Sequence, residues 1–174
     1  MKVVIINGAP RSGKDTFVGM CLDKLGHFGY NFSTVDFVKD VATYCGWNGE
    51  KTPRDRKFLS DLKDLLAEWN DVPYRKVREA IAKIYLIAEQ YNLDHNKFVI
   101  FVHCREPEEI KRFVKDYDAI TVIVRRPEVE NVEQTNHADS NVFNYEYDVT
   151  IWNGEDLDHL KLAADFFLDK LLKF

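Results

Sequence analysis

A chain of 174 residues, 45% hydrophobic and 30% charged, has the balance of one globular domain with a real core. Its net charge of -5 and pI near 5.6 argue against non-specific nucleic-acid binding, which needs a basic surface. Cys21, Cys45 and Cys104 are dispersed with no C-x-x-C pair, which excludes a disulfide framework or a cysteine zinc site and fits a reduced compartment. The first element is a strand, Lys2–Asn7, followed by Gly8-Ala9-Pro10-Arg11-Ser12-Gly13-Lys14-Asp15-Thr16 and a helix from about Gly13 to Leu25. The spacing G-x-x-x-x-G-K between a strand and a helix is that of a phosphate-binding loop.

Further along, Phe32–Phe37 reads as a second strand or its exit, and Val38–Cys45 as a helix stopped by Gly46. Thr52 and Pro53 form a helix start, and Phe58, Leu59, Leu62, Leu65, Leu66 and Trp69 follow at helical spacing. Asp71-Val72-Pro73 breaks this helix, and Val77, Ile81, Ile84, Tyr85 and Ala88 mark one face of the next. The continuous apolar runs Phe98–Val102 and Ile120–Val124 are those of strands buried on both faces of a parallel sheet. Pro107 opens a helix between them, Glu108–Lys115. Glu128–Asn144 is polar and lacks periodicity, Val149–Trp152 is a short strand, and Asp156–Leu172 is an amphipathic helix. Alternation of strands and helices implies an α/β class with right-handed crossovers. The expected architecture is a three-layer α/β/α P-loop NTPase fold with a five-stranded parallel sheet. One domain, 1–174, carries a helical acceptor-side insertion at 52–92 and a short lid-like segment at 127–146.

In the loop, Gly8 and Gly13 let the backbone curl so that amides point at phosphate oxygens, and Lys14 adds a mobile positive charge. The helix start contributes its positive dipole end. Residues 8–16 are therefore the candidate nucleotide-binding set. The position after the lysine, usually Ser or Thr, is Asp15, with Thr16 next. Asp15 either binds a metal, directly or through water, or is an N-terminal helix acid; Thr16 can supply the missing hydroxyl.

The order of features resembles the nucleoside monophosphate kinase branch of P-loop proteins. Within it, the chain is most similar to bacteriophage-type deoxynucleoside monophosphate kinases and animal-type phosphomevalonate kinases. The likeness rests on Arg11-Ser12-Gly13-Lys14-Asp15, on Asp36 and Lys39, on Gly46-Trp47 with Lys51-Thr52-Pro53-Arg54, and on Asn136–Ser140 with Asp148–Gly154. It implies ATP-dependent transfer of a phosphoryl group to a (deoxy)nucleoside monophosphate, with Mg²⁺ held by Asp15 and Thr16. Its partners are ATP and a small phosphorylated acceptor. The acidic charge, the dispersed cysteines and the short apolar runs lead us to expect a cytoplasmic monomer or homodimer that binds neither nucleic acid nor membrane. Where the family has D-V-R after the third strand, this chain has His103-Cys104-Arg105, and the glutamine–glycine pattern of the acceptor helix is absent.

Ligands of open parallel sheets bind at the carboxyl ends of strands. Lys39, Arg105, Arg125 and Arg126 each follow a strand and are expected on the loop's edge. Lys14, Arg105 and Arg125 are the candidate catalytic cations, and Arg126 a further donor-side contact. Asp36, Lys39, Arg54 and Arg56 are the candidate acceptor contacts. Each has a plainer alternative. Arg105 can pair with Glu106, Glu108 or Glu109; Lys39, Arg54 and Arg56 can be solvated helix charges; and Asp36 can cap its helix. His103 is a phosphate donor or a satisfied buried histidine, and His137 touches nucleotide or is surface. Tyr145 and Tyr147 fit core packing better than base stacking, and Trp47 and Trp69 read as packing anchors. Two rival functions stay open: a kinase for a non-nucleotide phosphate, and a module that senses ATP or GTP without turnover. No N-K-x-D-type motif supports a GTPase switch.

Overall fold

Val3, Val4, Ile5 and Ile6 are all buried, because β1 (Lys2–Asn7) lies mid-sheet with both faces covered. The computed structural model describes residues 1–130, 141–154 and 156–173. After β1 come α1 (Lys14–Leu25), β2 (Gly29–Ser33), α2 (Asp36–Tyr44), α3 (Pro53–Asn70) and α4 (Val72–Gln90). Then follow β3 (Val99–His103), α5 (Pro107–Tyr117), β4 (Ile120–Arg125), the short α6 (Pro127–Glu130), β5 (Val149–Trp152) and α7 (Leu157–Leu171). The strands form one parallel sheet in the order β2-β3-β1-β4-β5 with helices on both faces. This is a three-layer α/β/α arrangement, as the alternation of elements implied.

The chain divides into two compact units, Met1–Asn31 with Leu93–Phe174, and Phe32–Asn92. In the first, alternate strand residues point to opposite faces. Val4, Ile6, Val99, Phe101, Val122, Val124 and Ile151 join Phe17, Val18, Cys21 and Leu25 of α1 and Leu160, Ala164, Phe167, Leu168 and Leu171 of α7 in one apolar cluster. Phe17 and Phe167 meet with ring centroids 5.6 Å apart. Each such fully buried side chain is worth about 1.5–3 kcal/mol. Burial among these groups, with Asp165 nearby, pushes the Cys21 thiol up to about 12, so it packs as an inert thiol. Helix α5 packs on β1 and β4, and its Ile110 and Phe113 are fully buried.

Register sets which residues share the carboxyl edge. Ile6 is level with His103, Asn7 with Ile123, and Arg125 with Trp152. The edge strand β5 is anchored at its start by Asp148, whose carboxylate accepts the Thr121 amide at 2.8 Å and its hydroxyl at 2.7 Å.

The second unit is built around α2, α3 and α4, and the three helices pack on one another. Thr52 caps α3 in a reciprocal box: its hydroxyl accepts the Asp55 amide, and the Asp55 carboxylate accepts the Thr52 amide at 3.0 Å. Pro53 occupies the first helical turn, as expected. The break at residues 71–73 is the single left-handed residue Asp71, φ 52°, after which α4 starts at once. Val77, Ile81, Ile84 and Ala88 are buried along α4, whereas Tyr85 is exposed.

Three expectations are corrected. The stretch 32–37, read as a second strand or its exit, holds the end of a strand that starts earlier, at Gly29, and the helix begins at Asp36 rather than Val38. The Asp36 carboxylate accepts the Ser33 amide at 2.7 Å and ends the strand there. Trp69 is no packing anchor, because its side chain is 81% exposed. Trp47 is half-buried and donates its indole N–H to the Glu50 carbonyl at 2.9 Å.

Candidate nucleotide-binding site

The loop between β1 and α1 curls because three consecutive demands on its backbone are met. Gly8 has φ 154°, and a Cβ there would come within 2.5 Å of Ser12 Oγ and 2.6 Å of the Val124 carbonyl oxygen. Arg11 has φ 65°, and the Ser12 amide donates to the Ala9 carbonyl at 3.1 Å across the turn. Gly13 has φ 91° and lies against the Asn153 amide, where a Cβ would collide. Gly13 is also the N-cap of α1 and offers no side chain to the amides of the first turn. Those amides, the helix dipole and Lys14, the first residue of α1, converge on one end of the helix.

Two asparagines hold this loop. Asn7 Oδ1 accepts the Gly8 amide at 2.8 Å, and Asn153 Nδ2 donates to the Ser12 carbonyl at 2.8 Å. Asn153 is itself fixed by its own amide, which donates to the Arg125 carbonyl at 2.8 Å. Ser12 Oγ is buried and has no hydrogen-bond partner among the described residues. Neither asparagine was a candidate from the sequence; Asn153 lay in the family-like stretch 148–154 without a role.

A cleft of about 680 Å³ opens beside the loop. Arg11, Lys14, Thr16 and Arg126 bring positive charge and a hydroxyl to it, and Asn153, Asp156 and Asp158 line it after β5. Asp156 caps α7 by accepting the His159 amide at 3.0 Å, and these bonds hold its carboxyl below the usual range. The dimensions suit a nucleotide.

Lys14 is largely covered, with 12% of its side chain exposed, and its Nζ lies 3.7 Å from Asp15 Oδ2. Asp15 is 80% exposed, and its other oxygen is 3.7 Å from His103 Nδ1. His103 therefore sits at the end of β3 beside the loop. Asp15 and Thr16 offer hard oxygen donors, which suits Mg²⁺ bound by one or two protein groups together with substrate phosphates. Among the described residues no group of three or more His, Cys, Asp or Glu could hold a metal alone.

The remaining candidates separate. Arg126 lines the cleft, with Nε 3.1 Å from Glu128 Oε2. Arg125 instead borders a smaller cavity of about 290 Å³ lined by Phe143, Tyr145 and Tyr147. Its guanidinium meets Glu130 through Nε at 3.0 Å and Nη2 at 2.5 Å, and lies over the rings of Phe143 and Trp152. The hydrogen bonds to Glu130 raise the Arg125 pKa and lower that of Glu130. Arg105 is half-buried just past β3. Nearby, Glu106 accepts from Asn141 at 3.2 Å, Glu108 pairs with Lys111 at 2.7 Å, and Glu109 meets Cys104 Sγ at 3.4 Å.

Asp36, Lys39, Arg54 and Arg56 belong to the second unit. Lys39 Nζ is 3.6 Å from Asp36, Arg56 donates to the Lys51 carbonyl at 3.2 Å, and Arg54 is exposed in the first turn of α3. His137 and half of the lid-like segment, residues 131–140, lie outside the described residues. No helix among the described residues is long and apolar enough to cross a membrane.

No protein-family model matches the chain, and no curated protein matches it. Among solved structures, a shikimate kinase from Acinetobacter baumannii in complex with shikimate aligns over 99% of this chain and 94% of that chain. The TM-score is 0.46 and the identity 14%, and neither the fold nor the site described above rests on that alignment.

Proposed function

We propose that this chain is an ATP-dependent phosphotransferase whose loop 8–16 binds the triphosphate of the donor. The observation that carries the reading is the loop itself. Positive φ at Gly8, Arg11 and Gly13 turns the backbone around a concave space, directly before an uncapped helix start bearing Lys14. In this reading Arg11, Lys14 and Arg126 meet the phosphates, and Asn153, Asp156 and Asp158 border the donor's sugar and base.

The acceptor is best read as a (deoxy)nucleoside monophosphate, by the resemblance of the loop and of the Asp36–Lys39 stretch. An oxygen of the acceptor phosphate bonds to the γ-phosphorus as the bond from that phosphorus to the β–γ bridging oxygen breaks. The products are a diphosphate and ADP. The protein's part is alignment and positive charge at the moving group. Lys14 and Arg105 supply that charge in this proposal, while Arg125 does so only by leaving Glu130. Asp36, Lys39, Arg54 and Arg56 are proposed to hold the acceptor. Asp15 and Thr16 would hold Mg²⁺, which neutralises phosphate charge when bound. Single domain organisation, with 52–92 on the acceptor side and 127–146 as a lid, belongs to the same proposal.

One observation favours a second reading, a nucleotide sensor that does not turn over. His103 stands beside Asp15 where the family has an acid. An assay of ADP formation with Mg-ATP against a panel of ribo- and deoxynucleoside monophosphates separates the two. Stimulation by one monophosphate supports the kinase; tight nucleotide binding with no stimulation by any phosphorylated acceptor supports the sensor.

A further inference from the structure

Asn7 is fully buried, and Tyr147, which it meets, lies 140 residues away in sequence. Their hydrogen bonds have directions that chemistry fixes. The Gly8 amide can only donate, so the Asn7 oxygen faces it at 2.8 Å. Asn7 Nδ2 must then donate to the Tyr147 oxygen, 2.7 Å away. The Val142 carbonyl can only accept, so the Tyr147 hydroxyl donates to it at 2.8 Å. The run is unbroken: loop amide, asparagine, tyrosine, main-chain carbonyl. Burial raises the Tyr147 pKa further above its ordinary value, so the hydroxyl keeps the proton it donates.

The far end of this run is itself anchored. Val142 is fully buried in the short 3-10 turn Asn141–Phe143. Asn141 donates to Glu106 at 3.2 Å, and the Phe143 ring carries the Arg125 guanidinium 5.3 Å from its centroid. Packing alone does not account for Tyr147, since its ring already meets Tyr145 edge-on at 5.1 Å and needs no hydroxyl for that contact.

We propose that Tyr147 is a positioning residue of the phosphate-binding loop: its hydroxyl locks the Asn7 amide, which in turn fixes the Gly8 N–H and the first bend of the loop. The consequence for nucleotide affinity rests on the function proposed above, whereas the consequence for the loop backbone does not. Removing the hydroxyl leaves Asn7 Nδ2 buried without its acceptor, and the cheapest relief is rotation of Asn7, which releases Gly8.

The test is Tyr147→Phe, which keeps the ring. Hydrogen exchange of the Gly8 amide, followed by NMR in nucleotide-free protein, is expected to quicken about tenfold, while strand amides of β3 hold their protection. ADP affinity by calorimetry is expected to fall about tenfold, one buried hydrogen bond's worth. Tyr145→Phe is expected to change neither. Asn7→Ala should reproduce the Tyr147→Phe loss of ADP affinity, and the double variant should lose no more than either single one. Unchanged Gly8 exchange in folded Tyr147→Phe protein overturns the proposal, as do additive losses in the double variant. If the wild-type chain binds no nucleotide, the proposed function fails, and Gly8 exchange still decides the role of Tyr147.

Discussion

Asn153 donates to the Ser12 carbonyl at 2.8 Å, so the residue just after β5 holds the loop that follows β1. Its side chain also lies where a Cβ on Gly13 would be. The two strands are separated by β4, and the loop conformation is therefore set by the carboxyl edge of the sheet as well as by its own glycines.

Gly13→Ala tests that relation. The new methyl group meets Asn153, and alanine at φ 91° is strained. The expected loss is about 1–3 kcal/mol of stability, read from denaturant midpoints, together with weaker ADP binding. A variant as stable as the wild type contradicts the close approach.

Lys14→Ala tests the loop's charge. Lys14 is the first residue of α1 and lines the cleft. On the proposed reading Lys14 gives up about two charge-assisted hydrogen bonds to phosphate, so ATP affinity should fall about a hundredfold or more, measured by calorimetry. Equal affinity for ATP and adenosine in the wild type would make this substitution silent and remove the triphosphate from the loop.

The pair Arg125–Glu130 makes a pH prediction. Glu130 has a lowered pKa, because Arg125 hydrogen-bonds its charged form. A carboxylate whose folded pKa lies below its unfolded one stabilises the fold above the unfolded value, near 4.3. That contribution is lost as pH falls through the lower folded value. Wild type should therefore melt higher than Glu130→Gln at neutral pH, and the gap should close below about pH 4. A gap that persists in acid would assign the effect to packing.

Thr52→Ala removes the hydroxyl that accepts the Asp55 amide at the start of α3, while the main-chain amide of residue 52 keeps its bond to the Asp55 carboxylate. The expected cost is about 1 kcal/mol, seen as a lower denaturation midpoint and faster exchange of the Asp55 amide. Thr52→Ser should restore most of it.

Features written in local order were legible in the sequence. The strand–loop–helix unit at 2–25 shows its apolar run, its glycine spacing and its lysine within two dozen residues. Thr52, Pro53 and Asp55 likewise lie within one helical turn. The boundary of β2 was shifted because Ser33 and Asp36 bond to each other, a side-chain effect that β propensity at Phe32–Phe37 does not reveal. Trp69 has helical spacing like its buried counterparts on α4, and periodicity marks a face without saying that anything covers it. Asn7, Tyr147 and Asn153 were missed because their bonds span 140 residues or more. No neighbouring residue signals such a partner.

The central claim is that the amides from Gly13 to Thr16, at the start of α1, grip the phosphate chain. Titration of ¹⁵N-labelled protein with Mg-ATP tests it most directly. The largest amide shifts should fall on Gly13, Lys14, Asp15 and Thr16, saturate with ATP, and vanish in Lys14→Ala. Saturable binding that leaves these amides unmoved would place the nucleotide elsewhere and contradict the account.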